Sequence, residues 1–195
     1  MFSAGQSERK AELRLLARRI GATDRRSAAS AVVRRLSELP EFLSARTIGY
    51  YAAIGDEVAV EAAAVASRAR GDRTAYPVRT DAGLEMALAE GRFALRRGPG
   101  GICEPALDAP RVPFAEIDAF LVPGLLFDRS CRRLGRGGGQ FDRLLKRARA
   151  DATSIGICYA EHVVEELPED SWDVAMDLIV TDQFVIRRSI RTVRE

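Results

Sequence analysis

The sequence predicts an α/β fold: a single three-layer domain, a mainly parallel sheet with helices on both faces. Three observations predict it. Short apolar runs of strand length, such as T-I-G-Y-Y-A-A at 47–53 and I-D-A-F-L-V at 117–122, alternate with longer segments of helical periodicity. The 195 residues are 47% hydrophobic, enough for one compact core. No internal repeat, linker or low-complexity tract divides the chain. Residues 1–195 are therefore expected to form one domain, with 1–40 as a helical segment packed on it.

Each element has its own signal. Ser7 can cap a first helix through Ile20, with Leu13, Leu16, Ala17 and Ile20 as the apolar stripe. Asp24 can cap a second, whose inner face is Ala28, Val32, Val33, Leu36 and Leu39 and which Pro40 ends. Thr47 to Ala53 follows as a buried strand, and Glu57 to Arg70 as an alanine-rich helix stopped by Gly71. Thr74 to Val78 is a strand, and Leu84 to Leu95 alternates around Gly91 as a hairpin or a strand plus turn. Gly98 to Pro113 carries four of the chain's eight prolines and reads as a loop, long enough to be functional. Ile117 to Val122 is the next strand, and a helix over Phe141 to Arg149 comes after the glycine-rich stretch. Ser154 to Tyr159 and Leu178 to Thr181 complete the strand set, with an edge strand at Phe184 to Arg187.

Composition narrows the function. Thirty basic and 28 acidic residues leave a net charge of +2, too little for the one-sided surplus of a nucleic-acid binder. Lys10 and Lys146 are the only lysines among many arginines. Cys103, Cys131 and Cys158 are odd in number and form no C-x-x-C pair, and His162 is the single histidine, which argues against structural zinc. Widely spaced free thiols fit a reducing cytoplasm. Met1 to Ser7 lacks an apolar leader core and no run approaches a membrane span, so a soluble cytoplasmic protein is expected.

The densest signal is R-L-G-R-G-G-G-Q-F-D-R at Arg133 to Arg143, with glycine at 135, 137, 138 and 139. Glycines let backbone amides approach an anion, and the helix expected next would add its positive end. Arg132, Arg133, Arg136 and Arg143 flank the loop, and Asp142 marks the helix entry. This suits a polyphosphate with a divalent metal; a flexible surface turn is the alternative.

In open parallel sheets ligands sit beyond the carboxyl ends of the strands, where Ile54 to Glu57, the glycine loop, Tyr159 to His162 and Asp173 all fall. Glu57 could accept two adjacent N–H donors of an amino-heterocycle, or be a helix N-terminal glutamate with Asp56 as the cap. Asp142 and Asp173 could be magnesium ligands, or cap and turn residues. Lys10 and Arg14 share a helix face and could reach phosphates, or simply be solvated. Tyr50, Tyr51, Tyr159 and Trp172 could line a slot for a flat ligand, or pack in the core. His162 has no suitably spaced serine or cysteine partner, so a nucleophilic triad finds little support.

In order along the chain come K-A-E-L-R at 10–14, Y-A-A-I-G-D-E-V at 51–58, G-I-C-E-P at 101–105, V-P-G-L-L-F-D at 122–128, the glycine loop, L-P-E-D-S-W-D at 167–173 and V-T-D at 180–182. This ordered set, which spans nearly the whole chain, resembles the 5-formyltetrahydrofolate cyclo-ligase (methenyltetrahydrofolate synthetase) family. The resemblance implies ATP-dependent cyclisation of 5-formyltetrahydrofolate to 5,10-methenyltetrahydrofolate through a phosphorylated formyl group, an iminophosphate, with ATP and Mg2+ as cofactors. It implies an ATP site at Lys10, Arg14, Arg133, Leu134, Gly135, Arg136, Gly137, Gly138, Gly139, Gln140 and Phe141, with Arg136 and Lys10 catalytic. Glu57, Tyr51 and Phe141 would contact the folate, and Asp142 and Asp173 the metal. The expected partners are these small molecules, with no nucleic acid and no membrane, and the chain is expected to act as a monomer.

The sequence departs from the family pattern at five places. Gln140 and Phe141 stand where the family usually has two aromatic residues, the second a tyrosine; His162 replaces a glutamine, Trp172 a histidine and Cys131 a glycine. These changes keep a second reading in view, a folate- or nucleotide-binding relative with little or no turnover. An RNA-binding module has only the arginine content behind it.

Overall fold

The computed structural model describes residues 4–21, 24–81, 83–98 and 101–189. Helices α1 (Ala4–Ala17), α2 (Arg25–Leu36) and the short α3 (Pro40–Ser44) come first. Strand β1 (Thr47–Gly49), helix α4 (Glu61–Ala69) and strands β2 (Arg73–Thr80) and β3 (Gly83–Leu88) follow. After them come β4 (Arg96–Arg97), β5 (Cys103–Glu104), β6 (Ala119–Pro123), β7 (Leu126–Asp128), β8 (Arg133–Leu134) and α5 (Gln140–Leu145). The last are β9 (Thr153–Ile157), β10 (Val163–Val164), β11 (Leu178–Val180) and β12 (Val185–Arg187).

Among the described residues the main sheet has seven strands in the order β12-β11-β9-β6-β1-β2-β3. Its inner pairings are parallel, while β3 and β12 close the two edges antiparallel. Side-chain alternation along β6 splits the core in two. Ala119 and Leu121 join Val32 and Leu36 of α2 and Ala63 and Ala64 of α4 on one face. Phe120 and Val122 join Leu144 and Leu145 of α5 on the other. That is the three-layer arrangement expected of buried parallel strands. A smaller cluster, Ala17 with Leu126, Leu134 and Leu167, seats α1 on a three-stranded sheet of β10, β7 and β8.

Several expectations shift. Helix α1 begins at Ala4, so Ser7 lies one turn inside it and is no cap; past Ala17 the chain continues only as turns. Asp24 does cap α2, its carboxylate accepting from the Ser27 amide at 3.1 Å. Pro40 does not end that helix but opens α3, where a missing N–H costs nothing. Strand β1 stops at Gly49 because the chain turns out of the sheet, held by the Tyr51 hydroxyl donating to the Val58 carbonyl at 2.7 Å. Helix α4 starts at Glu61, four residues late, which leaves Asp56 and Glu57 in that turn rather than at a helix end. Of the two alternatives for Leu84 to Leu95 the strand plus turn holds: β3 ends at Leu88 and Gly91 leads into a 3₁₀ turn at Arg92–Ala94. Helix α5 is six residues long and ends before the expected Arg149. The 98–113 segment is irregular apart from β5, with 99–100 outside the described residues. No helix among the described residues is long and apolar enough to cross a membrane.

Asp118, just before β6, ties the sheet together at the amino ends of its central strands. Its Oδ2 accepts from the amides of Arg46 (2.7 Å) and Thr47 (2.8 Å), and its Oδ1 from Arg149 Nη2 (2.6 Å). Burial pushes this carboxyl's pKa up, but the two amides and the guanidinium outweigh burial and hold it below the ordinary 3.8. A depressed carboxyl contributes stability that is complete above the unfolded-state value and is lost as pH falls through the folded-state value. Asp118→Asn is therefore expected to lower the urea-unfolding free energy by about 1–3 kcal/mol at pH 7, with the gap narrowing below pH 3.8. Equal stability of the two proteins at pH 7 would remove Asp118 from this role.

Candidate active site

A cavity of about 660 Å³ opens at the carboxyl ends of the parallel strands. One wall is the face of α1 that carries Ser7, Lys10 and Arg14. A second is the turn after β1, with Tyr51, Ala52, Ile54 and Glu57. The β2–β3 hairpin (Pro77, Arg79, Leu84), Ile102 and Glu104 form a third, and Pro123 to Leu125 the floor. The glycine loop from Arg133 to Gly139, α5 with Gln140 to Arg143, then Lys146, and finally Asp170, Trp172 and Asp173 complete it. Every residue that the family resemblance implies for ATP, folate or metal lines this one cavity, and both of the chain's lysines do.

The loop's shape follows from its glycines. Gly137 (φ +105°) and Gly139 (φ +59°) occupy the left-handed region that residues with a Cβ rarely adopt. Arginine side chains then fix the loop by its carbonyls: Arg14 Nε donates to Gly135 O (3.0 Å) and Arg143 Nη2 to Gly138 O (2.7 Å). Among the described residues the amides of 136–139 find no protein acceptor, so their donors are available to an anion. Because α5 is only six residues long, its dipole would add little to what these amides and the surrounding cations offer an anion.

Acidic and basic groups in the cavity are paired across it. Lys10, nearly buried, donates to Asp170 Oδ2 (2.6 Å) and Asp173 Oδ2 (2.5 Å). Burial pulls its pKa down, but the two carboxylates more than offset this and the net shift is upward. Arg133 Nη2 donates to Asp142 Oδ2 (2.9 Å) while its guanidinium lies over the Phe141 ring. Arg136 Nε donates to Glu57 Oε1 (3.1 Å) and its Nη2 to the Ile54 carbonyl (2.9 Å). Glu57 Oε2 accepts the Ile54 amide (3.0 Å), and burial raises the pKa of this carboxyl against the pull of Ile54 and Arg136.

The carboxylates suit a hard cation. The Val174 amide, next to Asp173, donates to Asp142 Oδ1 (3.3 Å), which holds the two candidate ligands on adjoining backbone. No group of three or more histidine, cysteine, aspartate or glutamate residues among those described could hold a metal alone. Two carboxylates alone could serve a magnesium ion only where phosphate oxygens and water filled the rest of its shell.

Some sequence candidates lie elsewhere. Of the four aromatics proposed for a flat slot, Tyr51 and Trp172 line the cavity. Tyr51 contributes its ring, since its hydroxyl is bound to Val58 and burial pushes its pKa well up. Tyr50 is core: it stacks on Tyr76 and bonds the Ser67 hydroxyl (2.7 Å). Tyr159 packs edge-on against His162 under the Arg25 guanidinium, outside the cavity. His162 is buried there, and burial together with Arg25 lowers its pKa. Arg132, expected beside the loop, lies outside the cavity and donates to Asp128, whereas Asp170, Lys146 and Arg79 line the cavity without having been assigned. Asp170 was within reach, three residues before Asp173 in the same L-P-E-D-S-W-D run.

The 5-formyltetrahydrofolate cyclo-ligase family model matches residues 3–182. The 5-formyltetrahydrofolate cyclo-ligase of Mycolicibacterium smegmatis is 35% identical over 145 residues, covering 71% of this chain and 75% of that protein. The solved 5,10-methenyltetrahydrofolate synthetase of Aquifex aeolicus superposes with a TM-score of 0.80 at 29% identity, over 97% of this chain and 96% of its own. The Mycoplasma pneumoniae synthetase structure, at 21% identity, shares the fold with a TM-score of 0.69 over 91% of this chain and 99% of its own.

The Lys10 bridge is also the polar latch that holds α1 over the cavity. A raised lysine pKa favours the fold at every pH below 10.5, so the latch is closed throughout the neutral range. Lys10→Met leaves two nearly buried carboxylates without their cation and is expected to lower stability by about 2–4 kcal/mol in urea denaturation at pH 7. A change within about 0.5 kcal/mol would mean that α1 docks through its apolar stripe alone.

Proposed function

We propose that this chain, which belongs to the 5-formyltetrahydrofolate cyclo-ligase family, closes 5-formyltetrahydrofolate to 5,10-methenyltetrahydrofolate using ATP and Mg2+. The observation that carries the reading is a single cavity that joins a loop of unengaged amides to a buried carboxylate, Glu57, across apolar and aromatic walls. A polyphosphate and a flat amino-heterocycle are thereby brought within one enclosure, as phosphoryl transfer between them requires.

The chemistry needs positioning and charge neutralisation more than covalent help from the protein. The formyl oxygen attacks the γ-phosphorus and ADP leaves, forming the iminophosphate. N10 then attacks the activated carbon, and inorganic phosphate departs carrying the former formyl oxygen and the proton that N10 gives up. In this reading the 135–139 amides cradle the triphosphate, with Arg133, Leu134, Gln140 and Phe141 framing it. Lys10, Arg14 and Arg136 neutralise the negative charge on the phosphates. Glu57 orients the heterocycle, and Tyr51 and Phe141 give it an apolar wall that excludes water. Asp142 and Asp173 would hold the metal, which when bound supplies charge to the phosphate oxygens.

One observation favours a second reading. Phe141 places a bare ring in the cavity where the family usually has a tyrosine, so any hydrogen bond from that hydroxyl is missing. A relative that binds without turning over would show folate binding alone.

Mixing the protein with 5-formyltetrahydrofolate, ATP and magnesium is expected to produce growing methenyl-folate absorbance that depends on the metal. Asp142→Asn, which keeps an acceptor for Arg133, is expected to stay folded and lose about 100-fold or more in kcat. Tight folate binding with no absorbance growth at high protein concentration would select the second reading. A rate indifferent to magnesium would reject the roles given to Asp142 and Asp173.

A further inference from the structure

We propose that the Arg136–Glu57 ion pair couples the two halves of the cavity, so that filling the polyphosphate loop releases the carboxylate that receives the folate. This rests on the function proposed above. Arg136 stands within the glycine loop, between Gly135 and Gly137, whereas Glu57 belongs to the turn after β1, 79 residues away. The pair therefore spans the boundary between the nucleotide side and the heterocycle side.

Both Glu57 oxygens are engaged. Oε1 accepts from Arg136 Nε at 3.1 Å and Oε2 from the Ile54 amide at 3.0 Å, while Arg136 Nη2 binds the Ile54 carbonyl at 2.9 Å. To accept two adjacent N–H donors, a carboxylate must present both oxygens along one edge, and Arg136 lies against one of them. The same guanidinium is needed by the triphosphate. One cation thus serves two sites and cannot serve both fully.

The exposure of the pair decides which group moves. The Arg136 side chain is 50% exposed and that of Glu57 10%. A triphosphate carries more charge than one carboxylate and can draw the half-exposed guanidinium toward it. Glu57 stays behind, buried and short of its cation, a state that N–H donors from a ligand relieve. The coupling is therefore positive: nucleotide strengthens folate binding and, by linkage, folate strengthens nucleotide binding by the same factor. Lys10 and Arg133 have no such effect, because the carboxylates they hold (Asp170, Asp173 and Asp142) lie on the phosphate side with them.

The test is calorimetric titration of 5-formyltetrahydrofolate with and without a saturating magnesium complex of β,γ-imido-ATP. For the unaltered protein the folate Kd is expected to fall roughly five- to fiftyfold when the analogue is present. Arg136→Gln is expected to bind folate more tightly than the unaltered protein when no analogue is present, and to gain less than about twofold from it. Arg14→Gln, which loosens the loop at the Gly135 carbonyl, should weaken the analogue yet keep the folate tightening once it is saturating. Equal folate Kd with and without the analogue, both ligands binding, overturns the coupling and leaves the proposed function standing. Failure of either ligand to bind overturns both.

Discussion

The cavity depends on one buried carboxylate that never touches it. Asp128, fully buried at the end of β7, accepts from the amides of Ser130 (2.9 Å) and Arg132 (3.0 Å), from Arg132 Nε (2.7 Å) and from the Leu167 amide (2.9 Å). A charge removed from water is tolerable when its lone pairs are filled in this way. The first two bonds fold the chain back so that β8 runs antiparallel to β7, which launches the glycine loop toward the cavity. The fourth fastens the 167 segment, and with it Asp170, Trp172 and Asp173, against the same base. The loop and the segment that carries Asp173 therefore share an anchor, although Leu167 stands 39 residues from Asp128.

With that frame fixed, the carboxylates that line the cavity beside the loop each hold a cation. Lys10 is held by Asp170 and Asp173, Arg133 by Asp142, and Arg136 by Glu57. Pairing keeps the groups ordered and removes the repulsion that an unpartnered cluster of either sign would generate. A polyphosphate entering with a divalent cation brings both signs at once. In the proposed function it would take over the lysine and arginines while its metal takes over the aspartates, and Glu57 alone would be left short of its cation until the second ligand arrives. On that reading a bare anion would strand Asp142 and Asp173, whereas a metal-complexed one would not.

Much of this was legible in the sequence wherever a pattern had a period or a breaker. The apolar runs of β1 and β6, the apolar face of α2 and the alanine-rich run of α4 located the sheet and its covering helices. Glycine spacing located the loop, and the ordered motifs located its companions. What escaped was set by tertiary contact. Strands β8 and β10 are two residues each, shorter than any period can reveal, and exist because Asp128 and Leu167 bring them beside β7. Tyr50 and Tyr51 are adjacent, alike in type and both buried in the same core, yet only Tyr51 also lines the cavity, because the chain leaves the sheet between Gly49 and Val58. Glu57 looked equally like the start of a helix. Only the delayed onset of α4 shows that its carboxylate closes a turn and faces Arg136.

The departures from the family pattern fall into two physical kinds. Cys131 stands where the family has glycine, and it does adopt a left-handed backbone, φ +62°. That geometry costs a residue with a Cβ about 1–2 kcal/mol. It persists because the turn is imposed from outside, by Asp128 accepting from both flanking amides and by the Met176 amide holding the Cys131 carbonyl at 2.8 Å. The thiol is buried and its pKa pushed to about 11, so it replaces glycine as an inert filler. Phe141 is the other kind. Its ring packs against both cores and under Arg133, as a tyrosine ring would, so shape is conserved and one O–H is subtracted. A backbone-borne task survives substitution when its geometry is enforced by neighbours, whereas a hydroxyl has no substitute among methylene or ring atoms. The weight of the functional question therefore rests on Phe141, not on the loop that precedes it.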